Sequence, residues 1–509
     1  MNFRPFLFVA LTLIVSSVIA TFLCTLTNVK LIVGLCLAGI SVVLAVLFAV
    51  FKKNFLIFAG CLVFCASFVF MNLYFRANSL DNNLKFNDKE IFISGVISDN
   101  ISTTTSGNIA ITLDKVHIVA DDGNYDIDGK VKLYTSFGYF DAADLEIGRK
   151  IEAFGTFNFK STSANLDKYV GNFSKGEVAG GFVAHNKITL TDEYHKTISS
   201  TVKNGVLDSL EKSDAKHTEV GYAMLFGDTS FIDGDIKNIF QTTGIAHLLA
   251  VSGFHVSVIA FAINFVLSRF NRSKSVNFII VSIFLFVYSY LCDFSVSVVR
   301  ASLMSVLMLY AGVRGKPYDK LSVLSLVASF LLLLNPLYLF NLSFILSFVA
   351  VTSIFLLAKP FERLLDKVFY HKVASSLALN FAVQLGLFAF MVYFFGKYEV
   401  LGMLCNLISV PIASIAFVIL VFSVIISSVL PFMSFLMHGY GFLMDLVVKF
   451  NYAVSRLGWT LRFGTFAPIV MFLAVMLMFV LSDYVIASKP KKAIMSAIPL
   501  VIMALFVFI

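Results

Sequence analysis

The chain has 509 residues, is 58% hydrophobic and only 14% charged; with a mean hydropathy of +0.87 it exceeds the apolar content of a soluble core and reads as an integral membrane protein. Its net charge of +8 is unevenly placed: residues 77–243 carry 16 Lys and Arg against 24 Asp and Glu, and the apolar remainder carries 23 against 7. The six cysteines, Cys24, Cys36, Cys61, Cys65, Cys292 and Cys405, all lie in apolar runs, which argues against a disulfide framework or a CxxC metal site.

The apolar run after Arg4 resembles a signal peptide. Further apolar runs follow it closely and no small-residue cleavage site is evident, so a retained first membrane helix is expected. The rule of about 20 apolar residues per crossing places spans near residues 6–26, 31–51 and 55–75, and then near 245–267, 276–292, 295–313, 320–334, 338–358, 374–396, 400–427, 432–450, 465–487 and 493–509. The fold class expected is a polytopic α-helical membrane protein of about 11–13 transmembrane helices, with 320–334 and 432–450 open to a re-entrant or interfacial reading. Basic residues cluster in loops on one side, at Arg4, Lys52, Lys53, Arg269, Arg272, Lys274, Arg314, Lys316 and Lys489. The N-terminus is therefore expected in the cytoplasm and residues 77–243 outside it. The segment Lys359–Lys372 has apolar residues at helical spacing among charges, and reads either as a helix along the inner surface or as an ordinary loop.

Within the polar region, alternating apolar residues predict strands over Glu90–Ser98, Asn108–Val119, Gly129–Phe137, Lys150–Phe159 and Lys187–Leu190, five strands of a small OB-like barrel. The domain order expected is 1–76 membrane helices, 77–192 extracytoplasmic OB-like β domain, 193–243 connecting helical segment, 244–430 transmembrane core and 431–509 further membrane helices.

The run GIAHLLAVSGFHVSVIA, Gly244–Ala260, sets polar groups at membrane depth, where each costs on the order of 1–3 kcal/mol unless it lines a cavity or a helix contact. His247, Ser252, Gly253 and His255 are thus the first candidate site residues. On an unbroken helix the two histidines would stand about 80° apart and two turns away from each other, too far to share a metal. A helix broken at Ser252-Gly253, histidines satisfied at helix contacts, and an intramembrane hydrolase built on Ser252 and His255 all remain open. In DFSVSVVRASLMS, the residues Asp293, Ser297, Arg300 and Met304 share one helical face, so Arg300 is either a pore cation or the partner of Asp293. Asn341, Ser343, Ser347, Gln384 and Asn406 add polar groups to later spans, and Pro411 is a candidate kink.

The run GDTSFIDGDIKNIFQTTGIAHLLAVSGFHVSVIA, Gly227–Ala260, resembles the signature of the ComEC competence proteins; SVSVVRASLM, the run Asn335–Val351 and FGKYEVLGMLCNLISVPIAS, Phe395–Ser414, are similar to three later blocks of that family in the same order. In the outer region LEIGRKIEAFGTF is similar to the family's barrel strand after a Gly turn, and NLDKYVGNFSKGEVAGGF to the segment that follows it. The resemblance implies a channel in the bacterial cytoplasmic (inner) membrane that admits single-stranded DNA during transformation, with no enzymatic step and no cofactor of its own. Membrane lipid, an outer DNA receptor, a cytoplasmic DNA translocase and a separate nuclease are the partners it implies, and a homo-oligomer is compatible with it. Many members append a metallo-β-lactamase-like domain whose HxHxDH motif is not found in this sequence, so nuclease activity is not expected to carry over. The candidate pore lining is His247, Ser252, Gly253, His255, Asp293, Ser297, Arg300, Asn341, Ser343, Ser347, Gln384 and Asn406. Stacking of a strand on Phe137, Tyr139 and Phe140 is weighed against a purely structural barrel. Transport of another polyanion or lipid-linked polymer is the alternative.

Overall fold

The computed structural model describes most of residues 86–482, with gaps of which 137–146 and 160–176 are the longest. The expected spans at 31–51 and 55–75, all of 6–26 but Ala10 and Ile14, all of 493–509 but Met495 and Ser496, and the aromatics Phe137, Tyr139 and Phe140 lie outside the described residues. The chain divides into two compact units, residues 1–203 with 322–344, and residues 204–321 with 345–509.

In the first unit, β1 (Glu90–Ile97), β2 (Ser102–Thr103), β3 (Asn108–Ala120), β4 (Gly123–Ile127), β5 (Lys130–Ser136), β6 (Arg149–Phe159), β7 (Glu177–Phe182) and β8 (Ile188–Tyr194) form one sheet. The order β1-β3-β5-β7-β6 closes on itself through a β1–β6 ladder from Glu90↔Thr156 to Val96↔Lys150. This is a five-stranded barrel whose β5–β7 pairing is parallel, the arrangement expected of an OB-like fold. Alternation drives it: β5 and β6 bury every second side chain, and Ile111, Leu113, Ile118, Leu133, Ile151 and Phe157 are completely or almost completely buried in the core. Lys115 adopts a left-handed conformation where β3 passes from pairing with β5 to pairing with β4.

The sequence places the fifth barrel strand at Lys187–Leu190, and the structure corrects this. The closing strand is β7, EVAGGF, to which the sequence analysis assigns no strand; β8 pairs with β6 outside the ring. Glycine is required there because a Cβ on Gly181 would stand 2.5 Å from the Thr156 carbonyl oxygen.

The helices that follow are α1 (Ile198–Glu211), α2 (Thr218–Phe226), α3 (Gly234–Thr242), α4 (Gly253–Arg269), α5 (Lys274–Leu291), α6 (Val296–Arg314), α7 (Lys320–Leu334), α8 (Leu342–Leu365), α9 (His371–Phe395), α10 (Gly402–Val429), α11 (Met437–Ser455) and α12 (Ala467–Leu481). Among the described residues, α5, α6, α8, α9 and α10 are long and apolar enough to cross a membrane; α4, α7 and α12 are shorter apolar helices. The chain is thus a polytopic helical membrane protein carrying a β-barrel domain. Two expectations change. The span drawn at 245–267 begins as helix only at Gly253. The segment Lys359–Lys372 is no separate surface helix, because α8 runs through Pro360 to Leu365 and α9 starts at His371.

Within the second unit the buried core is built from α2, α4, α5, α10 and α11, centred on residues such as Tyr222, Val256, Leu285, Phe417 and Tyr440. Small residues let helices close up: a Cβ on Gly386 of α9 would fall 1.8 Å from the Ser353 hydroxyl of α8.

Candidate functional site

The segment leading into α4 is a chain of short, locally satisfied turns. α2 stops at Gly227 in a left-handed conformation. Asp228 accepts from the Ser230 amide, and Asp233 caps α3 by accepting from the Asp235 amide. Gly244, with φ of +70°, reverses the chain into a single 3-10 turn over Ala246–Leu248. That glycine lies flat on another, for a Cβ there would meet the Gly402 Cα at 3.2 Å.

Ser252 and His255 then cap α4 reciprocally. The His255 amide donates to Ser252 Oγ at 3.4 Å and the Ser252 amide donates to His255 Nδ1 at 3.2 Å. This is a capping box with histidine in the glutamate position. Because Nδ1 accepts, the ring is neutral with its proton on Nε2. The ring is buried, its centroid 4.4 Å from that of Phe417 on α10. The serine hydroxyl and the imidazole thus face each other's backbone, which is the geometry of a helix start and not of a nucleophile with its base. His247, on the 3-10 turn, is exposed and does not join His255 in this cap.

Arg300 reaches the same place from α6. It is buried to 6% exposure, and a Cβ on Gly253 would lie 2.3 Å from its Nη2. Only glycine lets the guanidinium approach the first residue of α4 this closely. Nη1 contacts Met304 Sδ at 3.9 Å, Cζ stands 5.8 Å from the Phe348 ring, and Nε is sealed from water with no acceptor.

Asp293 does not share the helical face proposed for it. It occupies the exposed turn before α6, left-handed at φ of 52°, and α6 begins only at Val296. A left-handed pair at Asp293 and Phe294 breaks the periodicity that spacing alone assumes. Ser297, half-buried, does lie on α6 with Arg300.

The other candidates are dispersed. Gln384 accepts from the Tyr398 hydroxyl at 2.9 Å beside Phe361, Phe381 and Phe388. Asn406 is half-buried on α10 with its Oδ1 unpaired, and Ser347 is half-buried on α8. α10 continues through Pro411 as one helix. Asn341 and Ser343 belong to the first unit, where the Asn341 carboxamide accepts from the Ser343 amide at 2.9 Å and caps α8. A hollow between α4, α5 and α10, lined by residues such as Ile259, Ile263, Phe284 and Phe417, is wholly apolar and offers no path to a hydrated strand.

Two polar groupings in the second unit escape sequence reasoning. Asn451 on α11 donates to Ser409 on α10 at 2.7 Å, both side chains fully buried. His217, left-handed at the start of α2, stands 3.5 Å from both Glu219 and Asp445. The Glu219 carboxylate, with a smaller contribution from Asp445, holds the His217 imidazole above its ordinary pKa. No spacing rule could find Ser409 for Asn451 or Asp445 for His217, because those partners are joined only by tertiary packing.

With this geometry in place, comparison with known proteins settles the family. The model of the family described as "Competence protein" matches residues 224–485, just over half of the chain, and the chain belongs to that family. It is 29% identical over 287 residues to "Recombination protein 2" of Haemophilus influenzae, covering 52% of this chain and 35% of that protein. It is 27% identical over 194 residues to "ComE operon protein 3" of Bacillus subtilis, covering 38% and 24% respectively. A third relative, from Aquifex aeolicus, is 28% identical over 203 residues, covering 38% of this chain and 48% of that one. The chain therefore spans between a quarter and a half of the length of these relatives. No solved structure matches it.

Proposed function

We propose that this chain takes part in DNA uptake for transformation and conducts one strand of DNA across the cytoplasmic membrane. The observation that carries the reading is the competence-family match across residues 224–485, which contains the broken entry into α4 and the buried Arg300. A buried cation with no carboxylate partner among the described residues, set beside a helix start in apolar surroundings, is a costly feature for pure packing, and a polyanion is the cargo it suits. A strand needs donors that hold it briefly without trapping it. Ser252, Gly253, His255, Ser297 and Arg300 are proposed to supply them, with His247, Ser347, Gln384 and Asn406 supporting. The N-terminus is assigned to the cytoplasm and the barrel to the outer face, from the distribution of basic loops. An outer DNA receptor, a cytoplasmic translocase and a separate nuclease complete the proposed system, and no catalytic role is assigned to the chain. In a competent host, deletion of the gene should abolish entry of labelled DNA into the cytoplasm while leaving surface binding of duplex intact. Unchanged entry would refute the reading, and loss of export of another polymer would move the assignment to that cargo.

A further inference from the structure

The contact between Arg300 and Gly253 has an electrostatic oddity. Cα–Cβ bonds on a helix tilt toward its N-terminus, so a group 2.3 Å from the Cβ position of Gly253 packs against the N-terminal turn of α4. The first amides of α4 point to that side. The Val256 amide donates to the Ser252 carbonyl and the His255 amide to Ser252 Oγ, which leaves the amides of Gly253 and Phe254 as the unclaimed donors of the first turn. The Ser252 hydroxyl accepts from His255 and keeps its own proton to give. A helix N-terminus and a guanidinium are both positive, and no ion pair joins Arg300 to a carboxylate among the described residues. Set against each other they repel, and a shared anion turns that repulsion into two attractions. The place is reachable: Phe254 is 46% exposed, and Ser252 and Gly253 are half-buried.

We propose that Arg300, the Gly253 and Phe254 amides and the Ser252 hydroxyl form a notch that binds one phosphodiester group of a nucleic-acid strand. The inference rests on the conduit reading and names the chemical group that the start of α4 holds. Arg300 Nη2 beside the first turn and the amides of that turn would each give a donor to one of the two non-bridging oxygens of a phosphodiester. The notch touches no base, so the strand is held without regard to sequence. Glycine at 253 is then required twice, to admit the guanidinium and to bare the amide.

The test uses the full chain in phosphatidylcholine nanodiscs and fluorescent oligothymidylate, read by anisotropy. The same length of oligothymidylate with an uncharged methylphosphonate backbone serves as control. Wild type should prefer the phosphodiester strand, and R300Q should bind it about tenfold more weakly with no change toward the methylphosphonate strand. R300K, which keeps the charge and loses the fork, should fall between them. Equal affinity of wild type for the two backbones overturns the notch without any variant having to fold. Equal affinity of a folded R300Q and wild type for the phosphodiester strand overturns it as well. If R300Q instead loses only affinity for phosphatidylglycerol added to the nanodiscs, the ligand is a lipid headgroup and the strand assignment is overturned. The two readings fail separately: DNA entry that survives deletion of the gene removes the conduit, whereas matched affinities remove the notch even where entry depends on the chain.

Discussion

The Tyr440 hydroxyl on α11 donates to the backbone carbonyl of His217, 2.8 Å away and 223 residues earlier in the chain. The same tyrosine packs on α2, where a Cβ on Gly221 would touch its ring at 3.0 Å. α2 and α11 are therefore fastened at one point where a left-handed residue, a buried ring and a set of charges meet.

That fastening should depend on pH. The imidazole of His217 has a raised pKa because Glu219, and to a smaller extent Asp445, stabilise its protonated form. Its contribution to stability is complete below the unfolded value of about 6.5 and is lost as pH rises through the higher folded value. Thermal unfolding of wild type and His217→Gln, followed from pH 5 to pH 9, should show the largest gap at the acidic end and convergence at the alkaline end. A gap that widens with pH would contradict the ion-pair account.

Gly386 and Ser353 leave no room between α8 and α9. Gly386→Leu should destabilise the helical unit by about 1–3 kcal/mol through overpacking. Ser353→Gly in the same chain should recover part of the loss. Thermal unfolding of the single and double variants in one detergent measures both, and purely additive effects would show that the two residues are not in contact.

Asn451→Ala strands the buried Ser409 hydroxyl, and its cost should be on the order of 1–3 kcal/mol. With Ser409→Ala in the same background the second loss should be much smaller, because the partner has gone. A double-mutant cycle read by unfolding midpoints gives the coupling between α10 and α11.

Ser252→Ala removes a helix cap worth about 1 kcal/mol. Ser252→Asp restores an acceptor and should recover the stability of the helical unit. A fluorophosphonate probe should leave wild type unlabelled, because the hydroxyl faces an amide and not a base. Covalent labelling at Ser252 would restore the hydrolase alternative.

Much of the barrel was legible in the sequence because alternation and burial agree there. Glu90–Ser98, Asn108–Val119 and Lys150–Phe159 differ from the observed strands by a residue at most. β7 was not, because Gly180-Gly181 looks like a turn until the Thr156 backbone is seen pressing on it. In the helical unit, hydropathy locates the crossings but not their interruptions. The left-handed Asp293-Phe294 pair and the late start of α4 are local backbone events that an apolar average smooths away. Ser252, Gly253, His255 and Arg300 were visible as costly residues in greasy runs. Their pairing into a reciprocal cap and a guanidinium-on-glycine contact needed three dimensions. Asn451 and Tyr440 were invisible, since each is an ordinary residue until its partner arrives from elsewhere in the chain, and so was the Asp445 half of the His217 cluster.

Gly244 and Gly402 meet main chain against main chain, with no side chain from either to key into the other. Interlocked ridges resist sliding; two bare backbones do not. The loop that feeds α4 therefore touches the head of α10 through bare backbone, and its hold on the unit comes from Ile245, Leu248, Leu249 and Val251, which are buried in the core. A methyl group on Gly244 would press on the Gly402 Cα at 3.2 Å, whereas one on Gly402 would meet the Thr243 carbonyl oxygen at an ordinary 3.4 Å, so the contact tolerates bulk from one side only.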